Sequence, residues 1–354
     1  MKKKIIFCSG GTGGHVFPAI SMIDSLKNER DIILATDKRA LKYIKSIEYN
    51  IQILDISPLE KKKIILNIFS LIKLFFTFIF SIYLIFKNKI DTVFGFGGYV
   101  SFPILLAAQV LKKKIYLYEP NLVLGRTNKF FVNSCEKIFT NSNKIKNAPK
   151  NKLHKFIEVG NIIRKEIVNF SSIKKKSKNN EITIIVLGGS QGAKIFGDIV
   201  PSVILELNKQ KFKVHIIQQA IEEQIKDLKE FYEKNEIKNT IFDFNPNILE
   251  LICKSDLAIT RSGASTIAEL EFLQVPFIAV PYPFAKDNHQ FENALYYKEN
   301  GSCWVVEQKN FTFENLSFLL VKILENKNEM ESKREKMFYN RRINTLEIIK
   351  KEIL

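Results

Sequence analysis

Cysteine is sparse and scattered in this chain of 354 residues: Cys8, Cys135, Cys253 and Cys303 are the only four, and no two form a CxxC pair. That excludes a cysteine-ligated zinc centre and a thioredoxin-type redox pair. A DxD pair, an HExxH helix and a GxxxxGK(S/T) phosphate loop are also missing, so no familiar metal or triphosphate signature is available. The first 30 residues lack the apolar core and small-residue cleavage site of a signal peptide, and the chain reads as cytoplasmic with reduced thiols. Acidic residues are scarce in one half only. Residues 1–160 hold 11 Asp+Glu against 26 Lys+Arg, a net +15, whereas residues 161–354 hold 26 against 28, a net +2. A compositional lysine bias would not spare the second half. The basic half points to an anionic partner: nucleic acid, an anionic bilayer surface or a phosphorylated substrate.

The length suits two domains of ordinary size, and two similar stretches lie about half a chain apart. Lys4 to His15, KIIFCSGGTGGH, is a short apolar run, then four glycines in five positions, then a histidine and a helical pattern. Ile182 to Ala193, ITIIVLGGSQGA, repeats the plan. A strand, a glycine-rich turn and a helix bring bare backbone N–H groups and a helix N-terminus to one point, which binds anions or carbohydrate hydroxyls. GGTGGH fits the dinucleotide fingerprint poorly, and a single-cofactor dehydrogenase needs no second turn. Two such turns in two α/β halves predict a cleft with a substrate on each lip.

Strands and helices alternate along the chain, the pattern of parallel sheets covered on both faces. Strands are expected at 31–35, 51–56, 92–96, 115–118, 135–140 and 156–159, with a polar helix at 38–47. Two further strand ends carry polar corners, Gly95 to Ser101 (GFGGYVS) and Glu119-Pro120-Asn121. Ile173 to Asn180 reads as a charged connector. In the second half strands are expected at 213–218, 240–244, 257–260 and 277–280, with a charged amphipathic helix over 333–354.

Ile64 to Phe86 is the most apolar segment, 23 residues with one charge. It is long enough to span a bilayer, yet Asn67, Ser70, Lys73, Thr77 and Ser81 fall on one helical stripe. Lys61, Lys62 and Lys63 precede it, and Lys87 and Lys89 follow. That arrangement suits a helix lying at headgroup level and partly packed on the sheet. A buried core helix and a true span are the alternatives; a span would split the first sheet across the bilayer.

His15 is the strongest candidate for acid–base chemistry, since an imidazole ordinarily ionises near pH 6.5. Its alternative is a histidine that only braces a loop. Glu269 could accept hydrogen bonds from a ribose, Arg164 and Arg261 could neutralise phosphate, and His289 and Gln290 could meet sugar hydroxyls.

The full set of motifs closely resembles the MurG family of glycosyltransferases, family 28 in the GT-B class. The resemblance runs nearly end to end: GGTGGH at 10–15, GFGGYVS at 95–101, YEPN at 118–121, GNIIR at 160–164, GGSQGA at 188–193, RSGASTIAE at 261–269 and KDNHQ at 286–290. The first corner reads YEPN where the family usually has His-Glu-Gln-Asn, and Asn245-Pro246-Asn247 replaces an Ile-Asp-Asp-like run. The resemblance implies a GT-B fold, two Rossmann-like parallel-sheet domains facing a central cleft. Residues 1–163 plus the terminal helix 335–354 would form an acceptor-binding, membrane-associating domain, and 164–334 a UDP-GlcNAc-binding domain. The implied reaction is inverting transfer of GlcNAc from UDP-GlcNAc to the C4 hydroxyl of the muramoyl sugar of lipid I, giving lipid II for peptidoglycan.

By the same resemblance His15 is the base. Donor contacts fall to Thr12, Gly13, Gly14, Asn121, Arg164, Ser190, Gln191, Glu269, His289 and Gln290, and acceptor contacts to Gly10, Gly11, Gly98 and Tyr99. No cofactor or tightly bound metal and no nucleic acid is expected. The implied location is the cytoplasmic face of the inner membrane, reached peripherally through the 64–86 helix and the basic half. Another GT-B glycosyltransferase with a different acceptor, and a non-catalytic membrane-surface binding protein of this fold, are the competing readings.

Overall fold

The computed structural model describes residues 3–44, 49–57, 64–170, 181–189, 192–245 and 247–354. The expected connector at 173–180, the lysines at 61–63, Ser190, Gln191 and Pro246 lie outside the described residues. The chain divides into two compact units, residues 1–164 with 342–354, and residues 165–341.

The first unit carries seven strands: β1 (Lys4–Cys8), β2 (Asp31–Thr36), β3 (Asn50–Ile53), β4 (Ile90–Gly95), β5 (Lys114–Glu119), β6 (Lys137–Thr140) and β7 (Phe156–Glu158). Its helices are α1 (Gly13–Leu26), α2 (Ile64–Lys87), α3 (Ser101–Val110) and α4 (Arg126–Phe131). The sheet is parallel, in the order β3-β2-β1-β4-β5-β6-β7. The chain winds outward from β1 to β3 and then returns to β4, so the order reverses between β1 and β4. The crevice at the carboxyl ends of those two strands is where such sheets take ligands.

Strand alternation sends Phe7, Phe94, Phe96, Tyr116, Tyr118 and Phe139 to one face of this sheet. They form a continuous aromatic layer, with Phe94 and Phe139 stacked at 5.8 Å and 3° and Phe7 tilted on Phe94 at 5.4 Å. Met22, Ile23 and Leu26 of α1 cover it. The opposite face packs Ile6, Val93, Ile115 and Leu117 against Leu84 and Ile85 of α2 and Ile104 and Leu105 of α3.

α2 lies on the sheet with its polarity reversed from that of an ordinary surface helix. Ser70, Thr77 and Ser81 of the polar stripe are buried, and Phe75, Phe76, Ile79, Tyr83 and Phe86 are exposed, Phe86 by 79%. The buried polar atoms are satisfied locally: Thr77 donates to Asp55 O at 3.1 Å, Ser81 to Thr77 O at 2.6 Å, and Lys73 pairs with Asp55 at 2.8 Å. Small hydroxyls let the helix approach the protein closely and leave the large rings outside. The buried-core alternative is thereby excluded. By length and composition alone the helix could cross a membrane, but its inner stripe is committed to the first unit.

The second unit contains β8 (Glu181–Leu187), β9 (Lys213–Gln219), β10 (Asn239–Phe242), β11 (Leu257–Thr260), β12 (Phe277–Ala279) and β13 (Cys303–Val305), parallel in the order β10-β9-β8-β11-β12-β13. Its helices are α5 (Lys165–Phe170), α6 (Lys194–Lys209), α7 (Glu222–Lys234), α8 (Ile248–Lys254), α9 (Ala264–Phe272), α10 (His289–Glu299), α11 (Phe313–Glu325) and α12 (Lys327–Asn340). Phe196, Val200, Ile204 and Leu207 of α6 pack with Leu316, Leu320 and Ile323 of α11 over Ile184, Val186 and Ile216. Here the reversal falls between β8 and β11.

Two local expectations are corrected. The polar stretch at 38–47 is a short 3₁₀ segment, Lys38–Tyr43, started by Asp37 accepting from Arg39 N; 45–48 lies outside the described residues. The single terminal helix is two. α12 ends at Asn340 in the second unit, and α13 (Thr345–Ile353) returns to the first, burying Ile349 and Ile353 beside α1. Arg341 turns extended (φ −58, ψ 130), which breaks the helix.

Candidate active site

At the first reversal the turns after β1 and β4 meet around one imidazole. His15 sits in the first turn of α1, its N–H bonded to Thr12 O at 3.0 Å. A Cβ placed on Gly10 would come within 3.2 Å of the His15 ring, one on Gly97 within 3.4 Å, and one on Gly98 within 3.2 Å of the Gly10 backbone. Gly97 and Gly98 adopt φ +82 and +79, which side chains other than hydrogen rarely tolerate. Ser101 Oγ shares its proton between Cys8 O (2.9 Å) and Gly97 O (2.7 Å), tying the two turns together. The glycines thus bring backbone close enough to clasp the ring. Thr12 caps α1 without a side-chain hydrogen bond, and the first turn has no acid, which leaves positive potential at that end of the helix.

Asp37, at the end of β2, supports the turn from beneath. A Cβ on Gly11 would lie 1.8 Å from its carboxylate, which also accepts from Arg39 Nε (2.9 Å) and Tyr99 Oη (3.3 Å). Burial pushes the Tyr99 hydroxyl up to about 12, so it serves as a neutral donor and acceptor.

The end of β5 is organised by Glu119. Its buried carboxylate accepts from Asn121 Nδ2 (2.9 Å), Gly125 N (2.8 Å) and Asn128 Nδ2 (2.9 Å). Burial raises its pKa against the lowering effect of these bonds. Asn128 also donates to Tyr118 O at 3.0 Å, and its amide approaches the point above Gly97 where the His15 ring rests. The Tyr118 hydroxyl of the unusual YEPN corner is committed inward, bonded to Asn161 Oδ1 (3.2 Å) and Ile162 N (2.8 Å). It therefore braces the GNIIR segment. Arg164 stays in the first unit, its guanidinium 4.4 Å from the Phe17 ring centroid on α1.

In the second unit, the turn after β8 keeps glycine for a different reason. A Cβ on Gly188 would strike Ala193 N at 2.5 Å, while one on Gly189, at φ +81, would meet nothing within 4 Å among the described residues. Gly188 N donates to Gln219 Oε1 at 3.1 Å. α6 begins without an acid in its first turn or a side-chain cap. Beside it, β11 leads to Ser262 and α9, on which Glu269 is buried. Asn293 of α10 donates to Ser262 O at 3.1 Å and joins α10 to that turn. His289 Nδ1 lies 2.8 Å from Lys286 O, so the neutral ring carries its proton there and offers Nε2 as an acceptor. Gln290 Oε1 accepts from Tyr282 N at 3.0 Å.

Arg261 is not a phosphate cation. It is buried, donates to Val280 O (3.1 Å) and Gln308 Oε1 (2.6 Å), and lies over Phe196 and Tyr282. It clamps the second unit from inside. Of the expected residues, the structure gathers Gly10, Gly11, Thr12, Gly13, Gly14, His15, Gly98 and Tyr99 at one sheet end, with Asn121 on the adjoining corner. Glu269, His289 and Gln290 lie on neighbouring elements of the other unit. Asp37, Arg39 and Asn128 escaped sequence reading; the only signal for the first two was a polar TDKR run directly after a strand.

Two parallel-sheet α/β units, each with a glycine-rich turn at its strand-order reversal, have the architecture of the GT-B class. Residues 5–140 match the family 28 N-terminal domain and 183–347 the family 28 C-terminal domain; the chain belongs to glycosyltransferase family 28. It is 41% identical over 95% of its length to a protein of Pelagibacter ubique, 94% of which is covered. That relative is named UDP-N-acetylglucosamine–N-acetylmuramyl-(pentapeptide) pyrophosphoryl-undecaprenol N-acetylglucosamine transferase. A Wolbachia protein of the same name is 38% identical, with 90% of each chain covered. The crystal structure of MurG from Acinetobacter baumannii shares the fold, with a TM-score of 0.78 over 99% of both chains at 23% identity.

Proposed function

We propose that this protein transfers N-acetylglucosamine from UDP-GlcNAc to the C4 hydroxyl of undecaprenyl-diphospho-N-acetylmuramyl-pentapeptide, forming lipid II with inversion at the anomeric carbon. The observation that carries the reading is His15 clasped by Gly10, Gly97 and Gly98 at the reversal of the first sheet. In a single displacement the imidazole takes the proton of the acceptor hydroxyl, the new O–C1 bond forms, and the C1–O bond to UDP breaks on the opposite face. The departing diphosphate gains charge, which backbone N–H groups at the α6 terminus, Ser190 and Gln191, with Arg164, neutralise. Glu269 takes the ribose, and His289 and Gln290 take sugar hydroxyls. Gly10, Gly11, Gly98 and Tyr99 hold the acceptor, and the family resemblance assigns Thr12, Gly13, Gly14 and Asn121 to the donor. No metal ion enters these steps.

The first unit acts at a membrane surface. Its support is the outward row of Phe75, Phe76, Ile79, Tyr83 and Phe86 on α2 in the half carrying net +15, which suits insertion to headgroup depth on anionic lipid. A peripheral enzyme so docked meets a lipid-linked acceptor on the cytoplasmic leaflet, and its product serves wall growth, cell shape and division.

The test is transfer of labelled GlcNAc from UDP-GlcNAc to a lipid I analogue in the presence of a chelator, with UDP-glucose as competitor. Transfer that persists and prefers UDP-GlcNAc supports the reading; no transfer by the wild type favours a binding protein. For the membrane arm, Phe75→Ser with Phe76→Ser should release the protein from anionic vesicles, and unchanged co-sedimentation would sink that arm.

A further inference from the structure

Asp37 is buried (5% exposed) and its carboxylate is approached from three sides: by the Gly11 backbone, by Tyr99 Oη and by Arg39. Arg39 donates to it through its backbone N (3.1 Å), Nε (2.9 Å) and Nη2 (2.6 Å). Nη2 also meets Tyr99 Oη at 2.8 Å, and the guanidinium lies 5.3 Å from the centroid of the Tyr99 ring. A long side chain is thus fixed along one edge, although 51% of it stays exposed. Fixing so long a side chain costs conformational freedom. Among the described residues Nη1 donates no hydrogen bond, so the opposite edge of the fork is presented, preorganised, beside the uncapped N-terminus of α1.

We propose that Arg39 binds the acceptor's diphosphate, its outer edge donating to a phosphoryl oxygen while Asp37 and Tyr99 hold the guanidinium in place. This rests on the transferase reading above and names a residue for its acceptor side. A planar fork matches phosphoryl oxygens in pairs. The carboxylate that orients it is shielded beneath it, and the helix terminus next to it adds positive potential and no acid.

Arg39→Ala is expected to raise KM for a short-chain lipid I analogue about tenfold or more, the usual loss for a charge-assisted hydrogen bond. KM for UDP-GlcNAc should stay as in the wild type. Direct binding of a short-chain prenyl diphosphate, measured by calorimetry, should weaken equally and lose part of its salt dependence. An unchanged acceptor KM, or equal losses toward both substrates, overturns the proposal. Should Arg39→Ala melt the unit, Arg39→Lys carries the test, since it keeps the charge and loses the fork. Weaker prenyl diphosphate binding at an unchanged melting temperature supports the assignment, and wild-type affinity overturns it. The calorimetric readout requires no turnover, so a wild type that binds prenyl diphosphate and transfers nothing defeats the transferase reading alone.

Discussion

The turn at Gly10–Gly14 and the turn at Gly188–Gly192 follow the first strands of two sheets wound in the same order, yet their glycines are there for different reasons. In the first, Gly10, Gly97 and Gly98 clear space for a neighbouring loop and an imidazole, and Gly11 clears space for the Asp37 carboxylate. Four strand ends, those of β1, β2, β4 and β5, contribute to one constellation around the His15 imidazole. In the second, Gly188 relieves contact with its own turn at Ala193, and Gly189 meets nothing among the described residues. One turn is made by tertiary closure around the His15 imidazole, the proposed base; the other relieves contact within its own backbone. A base must be held in one position to take a proton, whereas a diphosphate can be met by a row of N–H groups.

The largest effect that would sharpen this contrast is loss of the base. His15→Ala should lower the transfer rate about 10²- to 10⁴-fold while leaving UDP-GlcNAc binding, read by calorimetry, intact; near-normal turnover would reassign the base. The next test sets the two turns against each other. Gly11→Ala puts a methyl 1.8 Å from Asp37 and should destabilise the first unit by about 3 kcal/mol or more. Gly189→Ala, with no clash among the described residues, incurs the backbone strain of φ +81, about 1 kcal/mol, and equal losses in denaturant melts would erase the distinction.

Two carboxylates, Glu119 buried and Glu271 half-buried, offer a third comparison. Glu119 is held by four hydrogen bonds from three residues, whereas among the described residues Glu271 has only Ser302 Oγ (2.6 Å) and a long contact with Asn340 (3.4 Å). Burial raises Glu271 from 4.5 to about 7. The folded unit therefore keeps its proton to higher pH than the unfolded chain does. The stability this confers is complete below about pH 4.5 and is lost as the pH rises through about 7, on the order of 3 kcal/mol in all. Glu271→Gln should flatten that slope in melts of the second unit between pH 5 and 8; a slope unchanged by the substitution would remove Glu271 as its source. The smallest effect is expected at the donor side, where Glu269→Gln should raise KM for UDP-GlcNAc about tenfold with little change for the acceptor. A matching rise for both substrates would falsify its assignment to the ribose.

Much of the fold was legible because parallel sheets require it. Strands buried on both faces must be apolar runs, and glycine must stand where a turn demands positive φ. The 38–47 stretch was misread because Asp37 captures the Arg39 backbone and side chain and holds the segment to 3₁₀ turns. The single terminal helix was misread because its amphipathic pattern continues across 341–344, where the chain passes from one unit to the other. Arg261 looked like a phosphate cation from its place after β11; only the packing of Phe196, Tyr282 and two carbonyl groups around it revealed an internal clamp.

By itself the sequence determined the two α/β units, the two glycine turns, the histidine after the first and the concentration of positive charge in one half. These are consequences of local spacing and composition. The tertiary structure decided which glycines touch the imidazole, that Asp37 and Arg39 join the site, and which way α2 faces. The helical stripe of Ser70, Thr77 and Ser81 is plain in the sequence, but periodicity identifies a face without saying whether protein or solvent covers it. The sheet beneath α2 took the small hydroxyls, and the aromatic rings were left outside.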